Sequence, residues 1–224
     1  TACDRWSDAE LVKGLALIAP GEGVLSEEGS QRVPQTRAYW VVDPLDGTTN
    51  FATGIPVWAI SVARFVDGRP SEVFLDVPAL GQRIVALRGR GVMRNEQALT
   101  TATRQHANSA CVSLCSRSIR VLQRKPNQPF PGKIRLFGVA SLNLVSVAIG
   151  QTIAALEATP KIWDLAAAWL VLDELGCPIR WLDIDPAELS PGQDLSQTSF
   201  PMLAAGSWSE LARFLPWGEA LLQP

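Results

Sequence analysis

Residues 40–51 read WVVDPLDGTTNF, and no other stretch limits the fold so tightly. An apolar run ends in two carboxylates, Asp43 and Asp46, with a proline between them. Pro44 has a fixed φ and no N–H, so no helix and no regular ladder continues through it. A buried strand must therefore stop here and deliver both carboxylates toward one point. Gly47, Thr48 and Thr49 follow, small residues that let backbone N–H groups face outward. Taken alone, a D-x-x-D-G turn is as readily a plain capped turn as a site. The strand before it and the paired threonines after it favour a site. Carboxylates beside an anion cradle make chemical sense when cations sit between them, and hard oxygen donors near a phosphate point to Mg²⁺.

Around this segment the apolar period alternates between helix and strand. Residues 8–17 carry helical spacing through Leu11, Leu15 and Leu17, and residues 38–42 form the strand that enters Asp43-Pro44. Residues 58–66 and 72–77 flank Asp67-Gly68, a hairpin turn pair. Residues 83–87 and 92–99 continue this strand-rich half, which predicts an antiparallel sheet with a helix or two packed on it. A Pro-, Asn- and Gln-rich stretch at 124–132 reads as an exposed loop or boundary. Beyond it, residues 141–149 and 165–175 have helical spacing and stop at Gly150 and Gly176. Short apolar runs at 153–156, 179–182 and 202–205 separate or follow them, which predicts an α/β second half. The expected units are residues 1–123 and 133–224.

Bulk properties exclude several functions. The chain has 224 residues, 47% apolar and 19% charged, with a net charge of −2, an ordinary globular balance. It has no Lys/Arg block, which argues against nucleic acid as a partner. It also has no apolar run long enough for a membrane span, and no signal peptide. Cys3, Cys111, Cys115 and Cys177 lack zinc or CxxC spacing and read as buried thiols in a reducing, cytoplasmic-type compartment. The lone His106 sits among polar residues and reads as a surface residue. The chain begins at Thr1, which predicts that a natural leading segment is missing.

Four blocks together resemble the inositol monophosphatase family. Residues 40–51 match its pattern W-[IV]-[IVL]-D-P-[IL]-D-G-T-x-[NS]-F throughout. Residues 163–171, with Gly176, match W-D-x-A-[AG]-x-x-[ILV] and its later glycine. Glu27-Glu28 resembles the family's Glu pair, with Ser26 in place of the usual glycine, and Thr1-Ala2-Cys3-Asp4 resembles its T-x-x-D. The resemblance implies an α/β fold, a layered αβαβα sandwich with an antiparallel first sheet and a mostly parallel second one. It also implies two or three Mg²⁺ per site. Glu27, Asp43 and the Leu45 carbonyl would hold one; Asp43, Asp46 and Asp164 a second; Glu28 would reach a third through water. Gly47 and Thr48 would bind phosphate through their N–H groups, and the catalytic set would be Thr48, Asp4 and Glu27, with Thr48 and Asp4 relaying a proton from the attacking water. By position alone Asp164 is a helix cap; the resemblance makes it a ligand.

Glu157, seven residues before Asp164, stands where the family's ring-binding glutamate would accept hydroxyls. Ala140 falls in the segment beside the ring, where Val139 replaces the usual hydroxyl residue, and Ser116 aligns with another ring-facing serine. Substrate contacts would thus come from Gly47, Thr48, Asp46, Asp164, Ala140 and Glu157. The implied activity is Mg²⁺-dependent hydrolysis of a small polyol or sugar phosphate, inositol monophosphate foremost. Fructose 1,6-bisphosphate and histidinol phosphate are alternatives, and an inactive metal- or phosphate-binding relative is the non-enzyme alternative. Lithium sensitivity and a homodimer are further implications of the same resemblance.

Overall fold

The computed structural model describes residues 1–101, 110–125 and 127–223; His106 lies outside them. Alternation along strand β2 (Ala38–Asp46) sets the first layers. Tyr39 and Val41 point into one core, and Trp40 and Val42 pack on the opposite face. β2 is second in a seven-stranded sheet that runs in sequence order from β1 (Gly23–Ser26) through β3 (Ala59–Val66), β4 (Arg69–Val77), β5 (Gln82–Leu87) and β6 (Gly91–Arg94) to β7 (Gln97–Leu99). β1 pairs with β2 in parallel and every later pairing is antiparallel. The outer face of this sheet carries α1 (Ala2–Ile18), whose Leu11 and Leu15 meet Val42 and Val62.

The second sheet has the order β11-β12-β10-β8-β9, with β8 (Cys111–Leu114), β9 (Lys133–Arg135), β10 (Ala154–Glu157), β11 (Ile179–Trp181) and β12 (Met202–Ala205). β8, β9, β10 and β11 share one direction, and β12 alone opposes them from between β10 and β11. Alternation again splits this sheet between two cores. Ala155, Met202 and Ala204 face the first sheet, while Leu156, Leu203 and Ala205 face outward toward α3 (Arg120–Arg124) and α6 (Trp208–Glu219).

Between the sheets lie α4 (Ala140–Ala148) and α5 (Ile162–Glu174), while the short α2 (Thr48–Ala52) follows β2 directly. α5 is apolar nearly all round, as a helix buried on several sides must be. Its Ala166, Ala167 and Ala168 are fully buried. The layers read α1, first sheet, α4/α5, second sheet, α3/α6, which is the αβαβα sandwich.

Several local expectations need correction. The first helix begins at Ala2, not residue 8, because the Thr1 hydroxyl caps it and Asp4 completes a capping box. Residues 92–99 form two strands, turning at Asn95 (φ 47°) and Glu96 (φ 65°). Cys3 is exposed and Cys115 half-buried, so only Cys111 and Cys177 are the expected buried thiols. Among the described residues no helix is long and apolar enough to cross a membrane.

Candidate active site

The site forms where the two halves of the sandwich meet. The pairing of β2 with β3 breaks between Asp43 and Asp46, as the proline between them requires. Asp43 turns back so that its Oδ1 accepts from the Leu45 N–H at 2.9 Å. From the other half, Asp164 occupies the first turn of α5 and accepts from the Lys161 N–H at 2.7 Å. It therefore does cap its helix, with one oxygen. Carboxylate oxygens of Asp43, Asp46 and Asp164 all lie within 4.8 Å of one another. Asp46 is held by the first two N–H groups of α4, Ala140 at 3.2 Å and Ser141 at 2.7 Å.

Three acids so close and so buried repel one another. Burial, then the charges of Asp46, Asp164 and Glu27, push Asp43 well above the usual carboxylate range. Asp164 is pushed up to about 8, by burial first and then by Asp46. Asp46 also rises through burial, tempered by the hydrogen bonds from Ser141 and Ala140. Glu27 is raised by burial, then by Glu28 and Asp46, and meets Asp43 side chain to side chain. Glu28 is exposed beside it. Such a cluster stays ionised at neutral pH only when cations share it, and the all-oxygen donor set suits Mg²⁺. The residues present therefore fit the ion.

Gly47 caps α2 with φ 94°, where a Cβ would come within 2.7 Å of the Val139 side chain and 3.3 Å of the Val57 carbonyl. Only glycine fits this turn. Val139 is buried against it. The Thr48 hydroxyl donates to the Leu45 carbonyl at 3.1 Å, and the buried Asp4 accepts from the Thr1 hydroxyl at 2.6 Å. Asp4 is near enough to raise Glu27. α1 thus flanks the acidic loop, and Ser7 on it donates to the Pro44 carbonyl at 3.2 Å. Ser26 is buried and donates to Asp8, tying β1 to α1.

Beside the acids lies a polar cavity of about 370 Å³, bounded by Asp46, Asp164, Ala140, Glu157, Ser116 and Arg117 among others. Glu157 ends β10 fully buried, and burial, then the neighbouring Cys115, raises its carboxyl well above the usual range.

The sequence model of the inositol monophosphatase family matches residues 1–210. The chain belongs to the inositol monophosphatase family. It is 34% identical over 180 residues to the Nus factor SuhB of Xylella fastidiosa, a match spanning 77% of this chain and 65% of that protein. Over 194 residues it is 34% identical to the histidinol-phosphatase of Mycobacterium tuberculosis, covering 82% of this chain and 74% of the relative. A solved IMPase/NADP phosphatase complexed with Mg²⁺ and phosphate shares the fold, with a TM-score of 0.78 at 23% identity over 100% of this chain and 82% of that one.

Within this family member, the structure gives roles to residues beyond the predicted site set. Asn50 donates to the carbonyls of Val57 and Phe137, both at 2.8 Å, and so pins the Gly138 turn that precedes α4. Asn143, on α4, donates to Glu157 at 2.7 Å, while its Oδ1 is buried without a partner among the described residues. A buried asparagine in an apolar helix was the available signal, since such a group needs a reason to be there. Cys115 and Arg117 reach the cavity from a stretch with no legible periodicity.

Proposed function

We propose that the chain is a Mg²⁺-dependent phosphomonoesterase acting on a small polyol or sugar phosphate, inositol monophosphate foremost. The observation that carries this is the convergence of Asp43, Asp46 and Asp164 beside a cavity that ends in Glu157. Glu27, Asp43 and the Leu45 carbonyl would hold one ion, Asp43, Asp46 and Asp164 another, with Glu28 at the edge for a third. When bound, the ions supply charge neutralisation for the phosphoryl group and acidify water.

The chain's own residues do the rest. Gly47 and Thr48 present N–H groups to the phosphate. The Thr48 hydroxyl turns from the Leu45 carbonyl to accept the proton of the entering water, and passes its own toward Asp4 and Glu27. The new P–O bond forms as the P–O bond to the ester oxygen breaks, that oxygen takes a proton from solvent water and departs as the alcohol, and Glu157 accepts hydrogen bonds from the alcohol's neighbouring hydroxyls, with Ala140 beside the ring. A lower KM and higher kcat on inositol 1-phosphate than on p-nitrophenyl phosphate, both requiring Mg²⁺, are expected. Absence of Mg²⁺-dependent phosphate release from either ester would overturn the reading.

Histidinol phosphate is a second reading, favoured by the similarity to a protein named histidinol-phosphatase. The same assay with that ester decides between them. The reading also carries inhibition by Li⁺ at tens of millimolar, a cytoplasmic location, and a homodimer to be checked by sedimentation.

A further inference from the structure

Asp164 and Asp173 stand at opposite ends of α5, about 14 Å apart along its axis. At the Asp173 end an open cavity of about 400 Å³ lies where the start of β4, the last turns of α5, the end of β11 and the start of α6 meet. Three tryptophans bound it, Trp169, Trp181 and Trp208, and its charged members are Arg69, Asp173 and Asp185.

One half of this cavity is filled from within. Trp169 is buried, and the guanidinium carbon of Arg69 stands 6.0 Å from its ring centroid, a cation–π contact. Arg69 also faces Asp173, whose carboxyl is raised by burial and drawn back by the charge of Arg69. Indole, cation and carboxylate are thus complete on that side.

The other half has the same parts without the cation. Trp181 meets Trp169 in a T-shaped contact at 5.3 Å, which fixes its ring. Trp208 opens α6 and is 73% exposed, although Ser207 caps the helix and holds the backbone there. It makes no ring or cation–π contact among the described residues. Asp185 accepts from the Ala187 N–H at 2.8 Å, capping the 3₁₀ turn Pro186–Glu188. It has no ion pair among the described residues.

This lining selects its ligand. Two carboxylates against one arginine repel an anion. Indole faces offer no oxygen ligands, so a hard, strongly hydrated metal ion gains little. An ammonium whose protons are replaced by methyl groups carries a diffuse charge that indole faces attract. We propose that this cavity is a second binding site, separate from the acid cluster, for a small quaternary ammonium compound whose methyl groups rest on Trp181 and Trp208 beside Asp185. Its volume is within the range of small-molecule sites. The site stands whether or not the chain cleaves phosphate esters.

The test follows choline and its neutral isostere, 3,3-dimethylbutan-1-ol, by ligand-observed NMR titration of the full chain. The wild type binds choline saturably and at least about tenfold more tightly than the alcohol, because only the cation gains from indole faces and carboxylate together. Asp185→Asn keeps an oxygen for the Ala187 N–H and lowers that preference about threefold or more, with the alcohol unaffected. Trp208→Ala, at an exposed position, weakens choline binding about fivefold, and Trp208→Phe recovers part of it. Mg²⁺ with inorganic phosphate, the probes for the acid cluster, leaves choline binding as it is in sodium chloride of equal ionic strength.

Equal affinities for choline and the alcohol overturn the proposal, as does a choline signal that survives both Asp185→Asn and Trp208→Ala unchanged. Loss of choline binding in Mg²⁺ relative to the salt control overturns it too, since the acid cluster would then be what holds the cation.

Discussion

Gly47 sits where the acidic loop, the start of α2 and the second half of the chain touch. A side chain there meets the Val139 methyl at 2.7 Å and needs φ 94°. Gly47→Ala is expected to cost about 1–3 kcal/mol in urea unfolding. Adding Val139→Ala recovers the steric part and leaves the backbone part; full recovery would show that φ carries no penalty here. Asp164→Asn is a cleaner probe of the chemistry. Asparagine keeps an oxygen for the Lys161 N–H but loses the charge that cations need. Mg²⁺-dependent turnover is expected to fall at least about a hundredfold with the fold intact, and unchanged turnover at saturating Mg²⁺ removes Asp164 from the site. The acids were legible in sequence because proline and glycine leave the backbone few options around them. Asn143 and Arg117 were not, because their meaning comes from neighbours far along the chain, Glu157 and Thr159.

Elements with strong periodicity were legible, and those whose pattern is set by neighbours were not. α5 and β3 announced themselves through apolar spacing. β8 and the short β1 did not, since a serine cuts each four-residue apolar run short. α6 escaped notice although Ser207 caps it, because Pro216 inside it argues against a helix. Some element pairs are joined by single side chains, and these can be tested one at a time. At the far end of α5, Glu174 accepts from the N–H groups of Gly89 and Gly91, both at 2.7 Å, and so fastens the β5–β6 turn. Glu174→Ala is expected to lower stability by about 1–2 kcal/mol, since two donors lose a charged partner. On α4, Asn143→Leu removes the donor that orients Glu157. The expected result is a raised KM for inositol 1-phosphate with a smaller change for p-nitrophenyl phosphate. Equal changes on both esters would make Asn143 a part of the fold alone.

Across the whole molecule, the acidic cluster couples stability to both pH and metal. In the metal-free protein Asp43, Asp46, Asp164 and Glu27 all have folded-state pKa values above their ordinary ones. Between about pH 4 and the folded-state values the native chain therefore binds more protons than the unfolded one, and stability falls as pH rises. For Asp164 that loss runs through about 8. In EDTA, Tm is expected to drop from pH 5 to pH 8.5, and Mg²⁺ should raise it more at pH 8.5 than at pH 5. A Tm in EDTA that stays flat or rises over this range would contradict the repulsion described. The three buried alanines of α5 have a consequence of a different kind. They set how closely α5, which carries Asp164, packs between its neighbours, including the sheet that carries Asp43 and Asp46, so the gap across the acid cluster is a matter of methyl-group thickness. Enlarging one of them by a single ethyl or isopropyl group, a full turn or more of backbone away from any reacting atom in the case of Ala168, would wedge the layers apart and detune catalysis without touching a polar atom.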